Sequence, residues 1–199
     1  MTVIRRIGLL APVAALSLAG CGLNSVPTAE EQVNAKWADL QADYQRRADL
    51  IPNLVETVKG YAKQESSVLI AVTQARADAG RVQLSPADLD DPAKVKAFND
   101  AQGRLTQAII PLQRLQEAYP DLKSNQNFLA LQDQLEGTEN RINASRRDYN
   151  EAVRSYNTRI RTFPDAIGAK IFYGAKPKVP FEAAAGAQTA PPVNFNTSG

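Results

Sequence analysis

Histidine does not occur in this 199-residue chain, and cysteine occurs once, at position 21. Without an imidazole there is no Ser-His-Asp triad, no Cys-His pair and no histidine-bearing zinc or haem site. A lone cysteine closes no intrachain disulfide. Aromatics make up 7% of residues with a single tryptophan, so the core has to be mostly aliphatic and rich in alanine. No glycine-rich phosphate loop is present, and the carboxylates lack the Glu-x-x-His spacing of a di-iron bundle. Pairs such as Asp90/Asp91 and Glu30/Glu31 read as helix caps and wetted faces. The expectation is therefore a protein with no catalytic residue, no cofactor and no metal site.

Net charge is also scarce. The formal value is +2, but Arg5 and Arg6 lie in a leader argued below to be removed. Without that pair, 21 basic residues face 21 acidic ones. A neutral chain has no overall electrostatic pull on nucleic acid, so none is expected as a partner.

What is present begins at the N-terminus. Arg5 and Arg6 precede an apolar run from Ile7 to Leu18, which ends in Ala19-Gly20-Cys21. A basic start, a short apolar stretch and small residues before the end describe a secretory signal. The run falls short of the roughly 20 residues a membrane span needs, and Pro12 interrupts it. Leu18-Ala19-Gly20-Cys21 matches a bacterial lipobox, which makes Cys21 the lipid-bearing residue and residues 1–20 the signal peptide. An uncleaved transmembrane anchor is the competing reading. The two arginines stay inside by the positive-inside tendency, so everything after Cys21 is exported. Gly22 stands where an aspartate would favour the inner membrane. The expected location is the periplasmic face of the outer membrane in a Gram-negative cell, and otherwise the outer face of the cell membrane. Residues 22–27 form a tether.

The body is a succession of amphipathic helices. Phe128, Leu135, Ile142, Tyr149, Tyr156 and Phe163 recur every seventh residue, the heptad stripe of one long helix over about 125–163. Leu131, Thr138 and Ala152 flank that stripe, with Val153 and Ile160 taking over later. Ahead of it, Thr28 and Glu31 form a capping box for a helix over 28–50 carrying Val33, Trp37, Leu40 and Tyr44. Pro52 predicts a break or sharp kink, with a second helix over 53–79. Ser85-Pro86 opens one helical turn in the connector. Asp91-Pro92 starts a third helix to about residue 118, kinked at Pro111. Asn125 or Asn127 caps the long fourth helix, and Phe163-Pro164 closes it. Residues 166–199 read as an extended or partly disordered tail, in which Pro191 to Phe195 is either a docking strand or a free end. The fold class is all-α: an up-and-down four-helix bundle over 28–165 in which three helices cover the long stripe, so a monomer suffices.

Two polar groups stand out. Arg46, Arg47, Asp49, Glu56 and Lys59 gather around Pro52, either as an interaction patch or as a solvated corner. Glu139 and Arg146 lie seven residues apart where the stripe shifts rows, the arrangement of a half-buried ion pair that sets helix register. Tyr149 and Tyr156, at heptad spacing, are core residues with hydroxyls near the rim.

Longer strings then become recognisable. Arg46 to Ala62, reading RRADLIPNLVETVKGYA, with Ala75-Arg76 downstream, resembles the signature of the LemA family. So do Glu117 to Lys123, Asn127-Phe128, Leu131-Gln132, Thr138 to Ile142, Tyr149-Asn150, Tyr156-Asn157 and Phe163-Pro164. The resemblance implies an all-helical bundle held at a bacterial membrane by its N-terminus, and it implies no catalytic residue. Two departures matter. Many members carry a longer N-terminal hydrophobic helix with a Tyr-Asn-x-Leu stretch, where this chain has a lipobox. The family body has often been placed inside the cell, whereas the charges here put it outside.

The expected function is a non-enzymatic envelope lipoprotein that binds a protein partner or scaffolds an envelope process. The alternative is a bundle that holds a lipid or peptide between splayed helices near Pro52 and Pro111. Cys21→Ala should abolish palmitate labelling and leave unprocessed precursor; normal processing of that variant would refute the lipobox.

Overall fold

The structure, a computed structural model, describes residues 24–182. The expected signal peptide, Cys21 and the segment from Pro191 to Phe195 lie outside the described residues. Helix α1 spans Ser25–Tyr61, α2 Ser66–Arg81, α3 Pro92–Ala118, α4 Pro120–Lys123, α5 Gln126–Arg159 and α6 Asp165–Gly168. A 3-10 turn at Pro86–Asp90 joins α2 to α3, and a π turn at Ala169–Tyr173 follows α6. No strand occurs among the described residues.

Local chemistry sets several of these ends. Asp91 accepts from the amides of Ala93 at 2.9 Å and Lys94 at 3.3 Å, with Pro92 at the first helical position of α3. Asn125 caps α5 by accepting from the Phe128 amide at 2.9 Å. Ser85 and Asp88 form the capping box of the 3-10 turn. The Lys94 ammonium and the Ser85 hydroxyl and amide hold the Asp88 carboxyl well below the usual carboxylate range. Gly174 (φ +55°) ends the π turn in the left-handed region that favours glycine.

The capping box expected at Thr28 is not the start of α1. The helix begins at Ser25, and the Thr28 hydroxyl donates back to the Asn24 carbonyl at 2.7 Å. Pro27 sits in the first turn, where no intrahelical N–H is needed, so it does not hold the helix back.

More consequential is Pro52, where a break was expected and α1 runs straight through. The proline ring is exposed, and its missing N–H would have served the Ala48 carbonyl one turn back. That carbonyl accepts instead from Arg76 Nε of α2 at 2.7 Å. A side chain from the neighbouring helix replaces the donor that proline lacks. The true break falls after Tyr61, at 62–65.

Helix α1 packs along α5, while α2 packs on α3 and on the far half of α1. Two apolar clusters result. One gathers Val26, Val33, Trp37, Leu40 and Tyr44 with Phe98, Ile142, Tyr149 and Tyr156. The other gathers Ile51, Leu54 and Val58 with Val72, Leu105, Leu112, Phe128 and Leu135. Trp37 meets Phe98 and Tyr149 edge-on, at centroid distances of 5.4 and 6.0 Å. Burial pushes the Tyr149 phenol well above its ordinary range.

Phe128, Leu135, Ile142, Tyr149 and Tyr156 all lie in the core, as the heptad stripe requires. Phe163 does not. Helix α5 ends at Arg159, four residues before the expected stop, and the chain turns through a cis Phe163–Pro164 bond. Phe163 is left 81% exposed.

Because α2 is short, it covers only one half of the α1–α5 pair. Beside the other half lies the extended chain after Gly174. Asn157 and Asn150 of α5 each exchange two hydrogen bonds with its backbone, at Lys178 (2.8 Å both ways) and Phe181 (2.9 and 2.8 Å). The Tyr149 hydroxyl donates to the Val179 carbonyl at 3.0 Å, and the Val179 amide donates to Leu89 O at 2.8 Å. Phe181 stacks on Trp37 with centroids 5.8 Å apart. The chain from Gly174 to Glu182 is thus extended and its aromatic side chain completes the core, whereas residues 166–173, also expected to be extended or disordered, are wound into α6 and the π turn.

The Pro52–Arg76 replacement is testable by a double-mutant cycle. Arg76→Ala alone should cost about 1.5–3 kcal/mol, the range for a hydrogen bond from a charged donor. In a Pro52→Ala background, where residue 52 regains its own amide, chemical denaturation should show a clearly smaller cost. Equal costs in both backgrounds would show that Arg76 does not stand in for the missing donor.

Candidate functional site

The polar residues around Pro52 were expected to form one surface patch, and the helix disperses them. Arg46, Asp49, Glu56 and Lys59 are exposed. Arg47 is not; it is 1% exposed. Its Nη1 donates to Thr106 Oγ1 at 2.8 Å and Glu139 Oε1 at 2.9 Å. Its Nη2 donates to Gln102 Oε1 at 2.5 Å, and its guanidinium lies over the Tyr44 ring at 5.2 Å. The Nε proton is buried without a partner. Arg47 therefore ties α1 to α3 and α5 from inside, at the level between the two apolar clusters.

The signal for this was in the sequence. Val33, Trp37, Leu40, Tyr44, Arg47, Ile51, Leu54 and Val58 keep one alternation of four and three. A break expected at Pro52 ended that row at Tyr44 and left Arg47 on the outside. Once the helix continues, Arg47 stands in the buried stripe.

The expected pair of Glu139 with Arg146 is likewise redrawn. Glu139 faces Arg47, whereas Arg146 donates to Asn99 Oδ1 at 3.2 Å and to the Glu182 carbonyl. Its guanidinium also lies 5.8 Å from the centre of the Phe181 ring. The residues were rightly placed near the seam, but each finds its partner on another segment.

Glu56 and Lys59 remain candidates, in a different setting. With Val55, Lys63, Leu69 and Ile70 they line an open groove of about 490 Å³ between α1 and α2. Its floor is aliphatic and its rim carries both signs of charge. Lys59 and Glu56 sit 3.4 Å apart, and Ile70 is 66% exposed at the edge. A second cleft of about 440 Å³ opens beyond the end of α2, between Gln41, Tyr44, Arg76, Leu84 and Gln102. At Pro52 and Pro111, where splayed helices were considered, the adjoining Ile51, Leu54, Ile109 and Leu112 are buried. Among the described residues no group of three or more His, Cys, Asp or Glu gathers to hold a metal ion. No described helix is long and apolar enough to cross a membrane.

The sequence profile of the LemA family matches residues 36–195, most of the chain and all of its main helices beyond the first turns of α1. This chain belongs to the LemA family. Among curated proteins none is significantly similar to it. The strings that carry the family likeness have physical roles in this LemA fold. The Arg46–Ala62 segment supplies Arg47 and Pro52, Ala75-Arg76 supplies the donor for Ala48, and Tyr149-Asn150 and Tyr156-Asn157 hold the tail.

Removing the Arg47 guanidinium should leave Glu139 and Gln102 without their donor. Arg47→Ala should destabilise the fold by about 2–5 kcal/mol, because it empties a fully buried site and strips Gln102 and Thr106 of their donor. Glu139→Gln should cost much less, because the amide oxygen can still accept from Arg47 Nη1 and the side chain is 31% exposed to screening water. Similar losses for the two variants in chemical denaturation would contradict this assignment.

Proposed function

We propose that this LemA-family chain is a non-enzymatic envelope lipoprotein, anchored through Cys21 and exported, whose helical body binds a protein partner. The body is read as four long helices of alternating direction. Supporting that reading, Asn125 at the start of α5 bonds Tyr61 at the end of α1 (2.7 Å), and Ser145 bonds Asp43 further along (2.7 Å). Gln41 reaches Leu84 beyond the end of α2, while Tyr119 after α3 reaches Glu65 before α2.

The observation that carries the interaction role is the groove beside Ile70. It lies toward the far end of α1, about 45 Å from Ser25 at 1.5 Å per residue. A partner approaching from the aqueous side would meet it before any other part of α1. An aliphatic floor bordered by Glu56, Lys59 and Lys63 suits an amphipathic helix, whose apolar side chains fill the floor while its polar flanks meet the rim. No overall charge draws in nucleic acid.

A photo-crosslinking residue at Thr73, which lines the groove, should give a discrete protein adduct in intact cells. The same residue at Arg154, exposed on α5, should not. Adding Ile70→Asp should remove the Thr73 adduct without lowering the thermal midpoint. An adduct indifferent to Ile70→Asp, or none at Thr73, would refute the groove as the binding surface.

A further inference from the structure

We infer that the end of the bundle at which α1 begins is a membrane-docking surface, built from the chain between α5 and the tail. Five large apolar side chains are exposed within eleven residues: Phe163, Ile167, Ile171, Phe172 and Tyr173. Phe163 is 81% exposed, Ile171 68% and Phe172 67%. Scattered exposed apolar residues are ordinary, but a cluster of this size marks a contact surface.

Its occupant follows from where the chain comes from. Helix α6 touches α1, and Ala169 shares an apolar cluster with Val26 and Ala29 in the first turns of α1. The patch therefore flanks the point at which the N-terminal segment enters the fold. Ser25 is four residues from Cys21, a span of at most about 14 Å. On the lipoprotein reading, on which this inference rests, that tether is too short to hold the bundle clear of the headgroups. An apolar end pressed against a bilayer would be buried in it to the depth of the interfacial region.

Side-chain chemistry agrees with that occupant. Phenylalanine and tyrosine favour the zone between headgroups and acyl chains. Arg161 and Lys170 are exposed among them, placed for anionic headgroups. The acidic residue of the segment, Asp165, has a side chain only 17% exposed and faces Arg159 at 4.0 Å. Within residues 161–173 the exposed charge is therefore positive, while Glu31 in the first turns of α1 is also exposed and Glu30 is paired with Lys178. Docking here would stand α1 and α5 upright, with the Ile70 groove at the far end from the membrane.

The test uses the full lipidated chain in vesicles of brominated phosphatidylcholine with phosphatidylglycerol. Phe172→Trp and Ile171→Trp report on the patch, and Ile70→Trp reports on the opposite end. The native Trp37 is buried and supplies a constant background. Emission from the residue 171 and 172 probes should be quenched severalfold more than that from residue 70, and should be shielded from aqueous iodide. If the chain floats with vesicles but the patch probes are quenched by iodide, the patch faces water and the docking surface is refuted while the anchor stands. Shielding from both bromine and iodide would mean that protein covers the patch, its own chain or a second copy, and refutes it equally. Failure of the chain to float at all overturns both the anchor and the docking surface.

Discussion

Arg47 sits between the two apolar clusters, on the line that would otherwise be one continuous seam. A guanidinium taken out of water needs acceptors for most of its donors, here both Nη groups though not Nε, and its geometry then dictates what surrounds it. Gln102 and Thr106 must face it from α3 and Glu139 from α5, which pins the register of both helices against α1. Apolar side chains alone would accept small slides along the helix axes. The polar layer does not, because a shift of one turn would leave a buried charge unpaired. This device trades stability for a single arrangement, as polar residues in helical seams do elsewhere.

Two further features follow from helices of unequal length. Helix α2 spans 16 residues against 37 in α1, so it covers one half of the bundle and leaves the other open. Covering the short half, Arg76 supplies Ala48 with the donor that Pro52 lacks. Beside the long half runs the extended tail. There Asn150 and Asn157 meet both the N–H and the C=O of single tail residues, as the neighbouring strand of a sheet would. Those bonds hold Phe181 against Trp37 and Phe98, close to Tyr149. Several of the strings that carry the LemA likeness contain residues that make these bonds: Ala48 within Arg46–Ala62, Arg76, Tyr149-Asn150 and Asn157.

The two ends of this body differ in a way that suits a tethered protein. One carries exposed phenylalanine, isoleucine and tyrosine beside the start of α1. The other carries an aliphatic groove with a mixed-charge rim. A protein that turns one face to lipid and another to a protein partner needs such a polarity along its axis. The proposed role rests on that division of surface chemistry.

The sequence by itself determined the all-helical class, the core stripe from Phe128 to Tyr156 and the cap at Asp91, and narrowed the cap of the long helix to Asn125 or Asn127. Each depends on spacing within a few turns of one helix, which periodicity reports directly. It also held the row containing Arg47, hidden only because Pro52 was read as a stop. Tertiary structure alone decided that α1 crosses Pro52, since the compensating donor lies 28 residues away on α2. Tertiary structure likewise paired Glu139 with Arg47 in place of Arg146, and turned Phe163 out of the stripe. Whether a proline breaks a helix or a carboxylate finds one arginine over another depends on which groups folding brings within about 3 Å. Residue spacing along a single helix carries no record of that distance.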